Sequence, residues 1–447
     1  MNPKITVLGL ATALVAVCGC RTESGRFASR SDAELDLMES TNELQNAAFC
    51  RGDYRTAEAL LSRLAGDHTV SSSQYDLEKA SILLVQGRKD EAHELLMKAR
   101  TDIEQVIDTE SEEKATSIWH GENSKVFKGD AHERATLYAL LAISFMDQGE
   151  YEDAIRCVKN GLLADSANTK DVQYNSDYAL LQYLGYVAAS KSGDDAEAIS
   201  YAKEMAKNLA DRKIPIGKGS AARAFFEKEN IPDAFLVVWT GLPPTYVRGG
   251  EYEEIRYVAP GDTLVDFLTM ETEGGQERIM AKGLGDVNFQ ATTRGGREMD
   301  EVLADKAAVK SGFKTSGNIL IVAGLACVTT VSDNWIAELA ILGAGGTCLA
   351  LGGTCHLVGY CVNSKADVRS WRNLPGEFVI VPVKLTGAAQ TLTIRGYRVW
   401  DNIATEKCTV TRSAKGIGVT HLSMLPSEWR GRNAWNLDFK ESREEAK

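Results

Sequence analysis

Nucleophiles, bases and metal ligands do chemistry only when the chain makes them converge, and this sequence is poor in such spacings. Its six histidines, His68, His93, His120, His132, His356 and His421, are scattered. None belongs to a His-Glu-x-x-His pair, which would set two imidazoles on one helical face for zinc, and no Gly-x-Ser-x-Gly turn exposes a serine nucleophile. Ile216-Gly217-Lys218-Gly219-Ser220 has the Gly-Lys of a phosphate loop but lacks the glycine five residues ahead of it. It reads as a basic turn before a helix from Ala221 to Glu229. Cys348, Cys355, His356 and Cys361 could supply soft ligands, yet no close Cys-x-x-Cys pair is among them. They read as small side chains in an apolar core. The sequence therefore predicts no catalytic residue, no metal and no cofactor.

One cysteine stands in a different setting. After Lys4, the stretch Ile5 to Val17 carries no charge and is too short for a stable membrane span, which is the pattern of a secretory signal. It ends in Val17-Cys18-Gly19-Cys20, which resembles the bacterial lipoprotein box: an aliphatic residue, any residue, a small residue, then the lipidated cysteine. The resemblance implies cleavage after residue 19 and diacylglyceryl attachment at Cys20, so that the membrane partner is reached through that lipid. Arg21 replaces the aspartate that resembles an inner-membrane retention signal, so the expected address is the outer membrane, facing the periplasm. Seven cysteines remain beyond this box, an odd scatter that does not suggest a disulfide framework.

The bulk of the chain must supply whatever those residues do not. It has 447 residues, 44% hydrophobic and 25% charged, which excludes a disordered, collagen-like or polytopic membrane chain. A net charge of −12 makes nucleic acid a poor partner. The charge is uneven: residues 31–210 hold 33 acidic against 18 basic side chains, and the remainder is slightly basic. Two electrostatic regimes point to two structural units.

In the acidic region a short phrase recurs between apolar helical stretches. Gly52 precedes Asp53, Tyr54 and Ala57; Gly87 precedes Ala92; Gly149 precedes Glu150, Tyr151 and Ala154; Gly193 precedes Asp194, Asp195 and Ala198. Each glycine is placed to end one helix in the left-handed conformation, and each alanine to let the next helix pack closely. The pattern resembles the tetratricopeptide helix–turn–helix repeat, with insertions of which Asp108 to Asp130 is the larger. That resemblance implies a groove for an envelope protein or peptide and requires no catalytic residue.

After Pro215 the periodicity changes to that of strands. Phe235–Trp239, Thr263–Leu268, Glu377–Leu385 and Gln390–Val399 are predicted strands, and Gly249-Gly250, Gly274-Gly275 and Gly295-Gly296 are predicted turns. Gly387-Ala388-Ala389 is read as the turn of a hairpin spanning Lys384 to Arg398. A helix over about 298–312 leads into two apolar arms, Asn318–Val331 and Leu339–Val362, the second striped with glycine every seven residues. The arms are read as a helical hairpin packed on its own domain. The alternative is a membrane-active or self-assembling protein that uses the Gly-striped hairpin 318–362.

The expected class is thus α+β: a tetratricopeptide-like helical domain over 31–230, then a β-rich domain over 231–425 carrying the insert at about 298–362. A signal peptide (1–19), a linker (20–30) and a tail (426–447) complete the chain. Immediately after the insert comes Asp367-Val368-Arg369-Ser370-Trp371-Arg372-Asn373-Leu374-Pro375. In an extended segment Asp367, Arg369 and Trp371 share a face, suited to an Asp–Arg pair with the guanidinium on the indole, and Pro375 closes the motif. With Phe127 to Arg134, Gly149 to Ala154 and Val238 to Pro244, this phrase resembles a family of uncharacterised bacterial envelope lipoproteins over about residues 40–400. The resemblance implies a periplasm-facing lipoprotein with no established activity; Val368 departs from the small polar residue usual there. The motif itself is read as a structural clamp between insert and sheet.

Overall fold

The computed structural model describes residues 32–64, 71–113, 127–166, 177–216, 220–226, 231–249, 254–258, 265–293 apart from three positions, and 369–424. Helices occupy the N-terminal half and sheets the C-terminal half, so the chain is α+β. Cys20, the insert 298–362, the Cys348-to-Cys361 group and Asp367 lie outside the described residues.

Among the described residues, eight helices run in four helix–turn–helix pairs: α1 (Asp32–Cys50) with α2 (Tyr54–Leu64), α3 (Ser72–Val85) with α4 (Lys89–Glu113), α5 (Ala131–Gln148) with α6 (Tyr151–Ser166), and α7 (Ala179–Ser192) with α8 (Asp195–Asp211). Gly52, Gly87, Gly149 and Gly193 stand in the four turns with φ of +78°, +77°, +79° and +88°, the left-handed region in which a side chain is strained. Ala57, Ala92, Ala154 and Ala198 are all buried where each second helix meets the first. The first helices of the pairs are the buried ones. Fourteen residues of α5 and eleven of α7 are inaccessible, whereas α6 and α8 bury one stripe and leave a charged face outside.

Ala221–Phe226 form a 3₁₀ turn; the rest of the helix expected over Ala221 to Glu229 lies outside the described residues. The described strands then form two four-stranded sheets and a two-stranded ribbon. The first sheet has the order β10 (Gly418–Ser423), β1 (Ala234–Thr240), β7 (Glu377–Val383), β6 (Gly285–Asp286), with β1 parallel to β10 and antiparallel to β7. The second has the order β5 (Arg278–Ile279), β4 (Phe267–Thr272), β8 (Ala389–Arg398), β9 (Asp401–Thr411). β2 (Thr245–Gly249) pairs with β3 (Glu254–Val258), and β4 with β5, both antiparallel; Gly250 and Gly274 of the expected turns lie outside the described residues. A short helix, α9 (Val287–Thr293), follows β6.

The expected hairpin from Lys384 to Arg398 does not form. β7 pairs with β1 and β6, while β8 pairs with β4 and β9, so the Gly387 turn carries the chain from one sheet to the other. The actual hairpin is β8–β9, closed by Val399 and Trp400.

Every residue of β1 is buried, as for a strand covered on both faces. Its Phe235 and Trp239 project to the same side and meet Tyr183 of α7 and Phe49 of α1, at ring-centroid distances of 6.1 and 6.4 Å. Helices and strands therefore share one core. Further ties hold them: Ile417 N–H donates to the Met146 carbonyl at 2.8 Å, and the Ser413 hydroxyl to the Asp147 carbonyl at 2.6 Å. The Arg212 guanidinium lies 4.0 Å from the Phe289 ring centroid and bridges to Asp286 at 3.2 Å.

Candidate functional site: a peptide segment held by the inner helices

The motif segment 369–375 lies against α1, α3 and α5, and it is held mainly by its backbone. The Trp371 N–H donates to Oε1 of Glu133. Arg372 and Asn373 N–H donate to Oε1 and Oε2 of Glu78, at 2.6 and 2.7 Å. The side-chain amide of Gln74 donates to the Ser370 carbonyl at 2.9 Å, and that of Asn46 to the Arg372 carbonyl at 2.6 Å. Four helix side chains thus pair three N–H groups and two carbonyls within residues 370–373, a buried segment that turns at Arg372 and Asn373, where the Leu374 N–H donates to the Trp371 carbonyl at 3.4 Å, and has no ladder partner.

Local sequence explains why these side chains are there. On α3, Gln74, Glu78 and Ser81 follow each other at helical spacing and form a polar stripe on a helix otherwise buried in apolar contact. Glu133 is the third residue of α5: its Oε2 accepts the backbone N–H of Asp130 at 2.6 Å, closing the helix N-terminus, while Oε1 faces Trp371. The Ser73 hydroxyl donates to the Phe127 carbonyl at 2.9 Å and fixes the approach to that helix.

Trp371 is the anchor. It is 1% exposed, and its indole N–H donates to the Ser81 hydroxyl at 2.8 Å. Filling a pocket with an aromatic ring while the backbone is gripped on either side is the usual division of labour in peptide recognition. Arg369 donates to the Ser71 hydroxyl at 3.1 Å and lies over Phe127, 5.9 Å from its centroid. The ring that meets the Arg369 guanidinium here is thus Phe127, which the sequence did not point to. Pro375 is buried where the segment turns into β7, next to Gly376, whose carbonyl accepts from Val287 and Asn288.

Electrostatically the site is a buried acid pair with basic company. Burial pushes the Glu78 carboxyl up to about 8 against the pull of two backbone donors and the Arg372 guanidinium, with Glu133 adding a further upward push. No group of three or more His, Cys, Asp or Glu side chains converges on a metal position among the described residues, and His132 is buried in α5.

Sequence reasoning singled out Arg369, Trp371 and Pro375 but missed Asn46, Gln74, Glu78, Ser81 and Glu133, the residues that receive them. The signal was present for four of the five: the Asp130-to-Glu133 capping spacing for Glu133, and the polar stripe in the apolar α3 for Gln74, Glu78 and Ser81. No family model matches the chain, and no curated protein matches it.

Proposed function

We propose that this protein is a lipid-anchored envelope lipoprotein acting as a non-catalytic interaction module, its helix pairs forming a tetratricopeptide-like array that holds a peptide segment. The observation that carries this reading is the set Asn46, Gln74, Glu78 and Glu133, which grips four consecutive residues by their backbone. Backbone gripping tolerates many sequences, and one deep aromatic pocket supplies selectivity. Within this chain residues 369–375 occupy that stretch of the helices. On α1 Asn42, one turn before Asn46, and Gln45, next to it, are buried, and among the described residues the amide oxygen of Asn42 and both polar atoms of Gln45 have no hydrogen-bond partner. On this reading they mark where a partner's backbone adds to the same surface. Cys20 supplies the tether, in the expected outer-membrane, periplasm-facing address.

The test has two arms. Mass spectrometry of the mature N-terminal peptide is expected to find acylated Cys20, and an unmodified terminus would remove the tether. Affinity capture from gently solubilised envelopes is expected to enrich a protein whose recovery falls when Gln45 is replaced by Ala. Recovery no better than with an unrelated tagged lipoprotein would remove the adaptor.

A further inference from the structure

The β8–β9 hairpin ends in two residues, Val399 and Trp400, between the paired Arg398 and Asp401. Two-residue hairpin loops of the preferred types need a positive φ at the first or at both turn positions, which favours glycine, asparagine or aspartate. Val399 has φ of +59°, an outlier for a β-branched side chain, in a chain that uses 39 glycines elsewhere. Stored strain of this kind persists only where the surroundings impose it, and it clusters at functional positions. The surroundings here are explicit: the Val399 N–H donates to the Asp266 carboxylate, and Asp266 N–H donates to the Tyr397 carbonyl at 2.8 Å.

What the strain displays is apolar. Val399 is 67% and Trp400 82% exposed, the latter the most exposed large hydrophobic side chain among the described residues. Behind them Phe267 stacks on Tyr397 at 4.8 Å, and its ring meets Trp400 edge-on at 5.8 Å. The tip is thus a stiff, convex aromatic wedge on a four-stranded sheet.

We propose that this tip inserts into the headgroup region of a bilayer, giving the protein a second membrane contact besides its acyl chain. The inference rests on the envelope reading only in supposing a bilayer within reach. Size decides against a protein partner. One Trp buries at most about 250 Å², whereas a stable protein interface takes about 800 Å² from each side. Two convex side chains fall well short of that, but an interfacial wedge has no such minimum, and tryptophan favours the zone where its ring is apolar-solvated and its N–H wet. Arg398 and Asp401, flanking the pair, offset each other in charge, and the Asp266 carboxylate beside them accepts the Val399 N–H.

The test uses the full mature chain carrying Cys20→Ser, so that no acyl group contributes, and flotation with vesicles of equal parts phosphatidylethanolamine and phosphatidylglycerol. The chain is expected to float, and Val399→Gly/Trp400→Ser to lower the bound fraction about tenfold. That double variant places glycine where the turn favours it, so its thermal unfolding is expected to match or exceed that of the parent. Equal flotation of the two chains, or no flotation of the parent, overturns the proposal. Self-association lost in the double variant without any flotation also overturns it, by making the tip a contact between copies. Acylation of Cys20 is read separately by mass, so either idea can fail alone.

Discussion

Glu133 and Trp371 stand 238 positions apart and are joined by one hydrogen bond, from the tryptophan backbone N–H to Oε1 of the glutamate. The other oxygen of the same carboxylate closes the N-terminus of its own helix. A helix cap and a long-range clamp are therefore one group. The start of α5 and the seating of the motif segment depend on each other.

The indole of Trp371 contributes both volume and a donor. Trp371→Ala is expected to destabilise the fold by about 3–5 kcal/mol, the range for emptying a large aromatic site. Ser81→Ala leaves the indole N–H buried without its acceptor and is expected to cost about 1–3 kcal/mol. Trp371→Phe with Ser81→Ala should cost less than the two single changes added, since both remove the same bond. Urea unfolding followed by circular dichroism measures all four; strict additivity would mean that the bond does not contribute.

How much of this was legible beforehand differs by element. The helix pairs follow from local marks, Gly52, Gly87, Gly149 and Gly193 each with its alanine, and these need no knowledge of distant residues. The strands at Phe235, Glu377 and Gln390 were legible for the same reason. Pairing was not: Gly387-Ala388-Ala389 carries every mark of a hairpin turn, but β7 finds its neighbours in β1 and β6. The true hairpin turn, Val399-Trp400, carries none, because tertiary bonds from Asp266 hold a conformation that propensity opposes. Likewise the polar stripe of α3 could be seen in the sequence, but not its partner almost three hundred residues downstream.

Glu78 accepts two neighbouring N–H groups with its two oxygens. Glu78→Gln keeps the shape but turns one acceptor into a donor facing a donor, and is expected to cost about 1–3 kcal/mol. The pH dependence follows from the raised carboxyl, whose ordinary value is 4.5 and whose folded value is about 8. Between these the folded state holds the extra proton, so this contribution is complete below about 4.5 and is lost as pH rises towards about 8. The stability of the parent is expected to fall across that window, and Glu78→Gln to flatten the fall. An unchanged slope in the variant would assign it elsewhere.

Gly149 and Gly52 share the same backbone conformation but not the same surroundings. A Cβ on Gly52 meets nothing within 4 Å, whereas one on Gly149 would come within 2.6 Å of the Lys415 carbonyl oxygen. Gly52→Ala therefore bears only the left-handed strain, about 1–2 kcal/mol. Gly149→Ala adds a backbone collision where the β9–β10 loop docks, and is expected to cost at least about 1 kcal/mol more. Equal midpoints for the two variants in denaturant would show that the docking loop yields freely.

His421 accepts the indole N–H of Trp239 at 3.0 Å through Nδ1, which fixes the neutral ring with its proton on the other nitrogen. Burial depresses its pKa from the ordinary 6.5 to about 3, with the Lys89 charge adding to the effect. The sign is opposite to that of Glu78: this stability is present above 6.5 and is lost as pH falls towards about 3, because the unfolded chain takes up the proton first. His421→Gln keeps an acceptor for Trp239 but cannot titrate. Its stability is expected to equal that of the parent or lie about 1 kcal/mol below it at pH 7, and to decline less steeply from pH 6 to pH 4. Parallel declines would exclude His421 as a source of acid sensitivity.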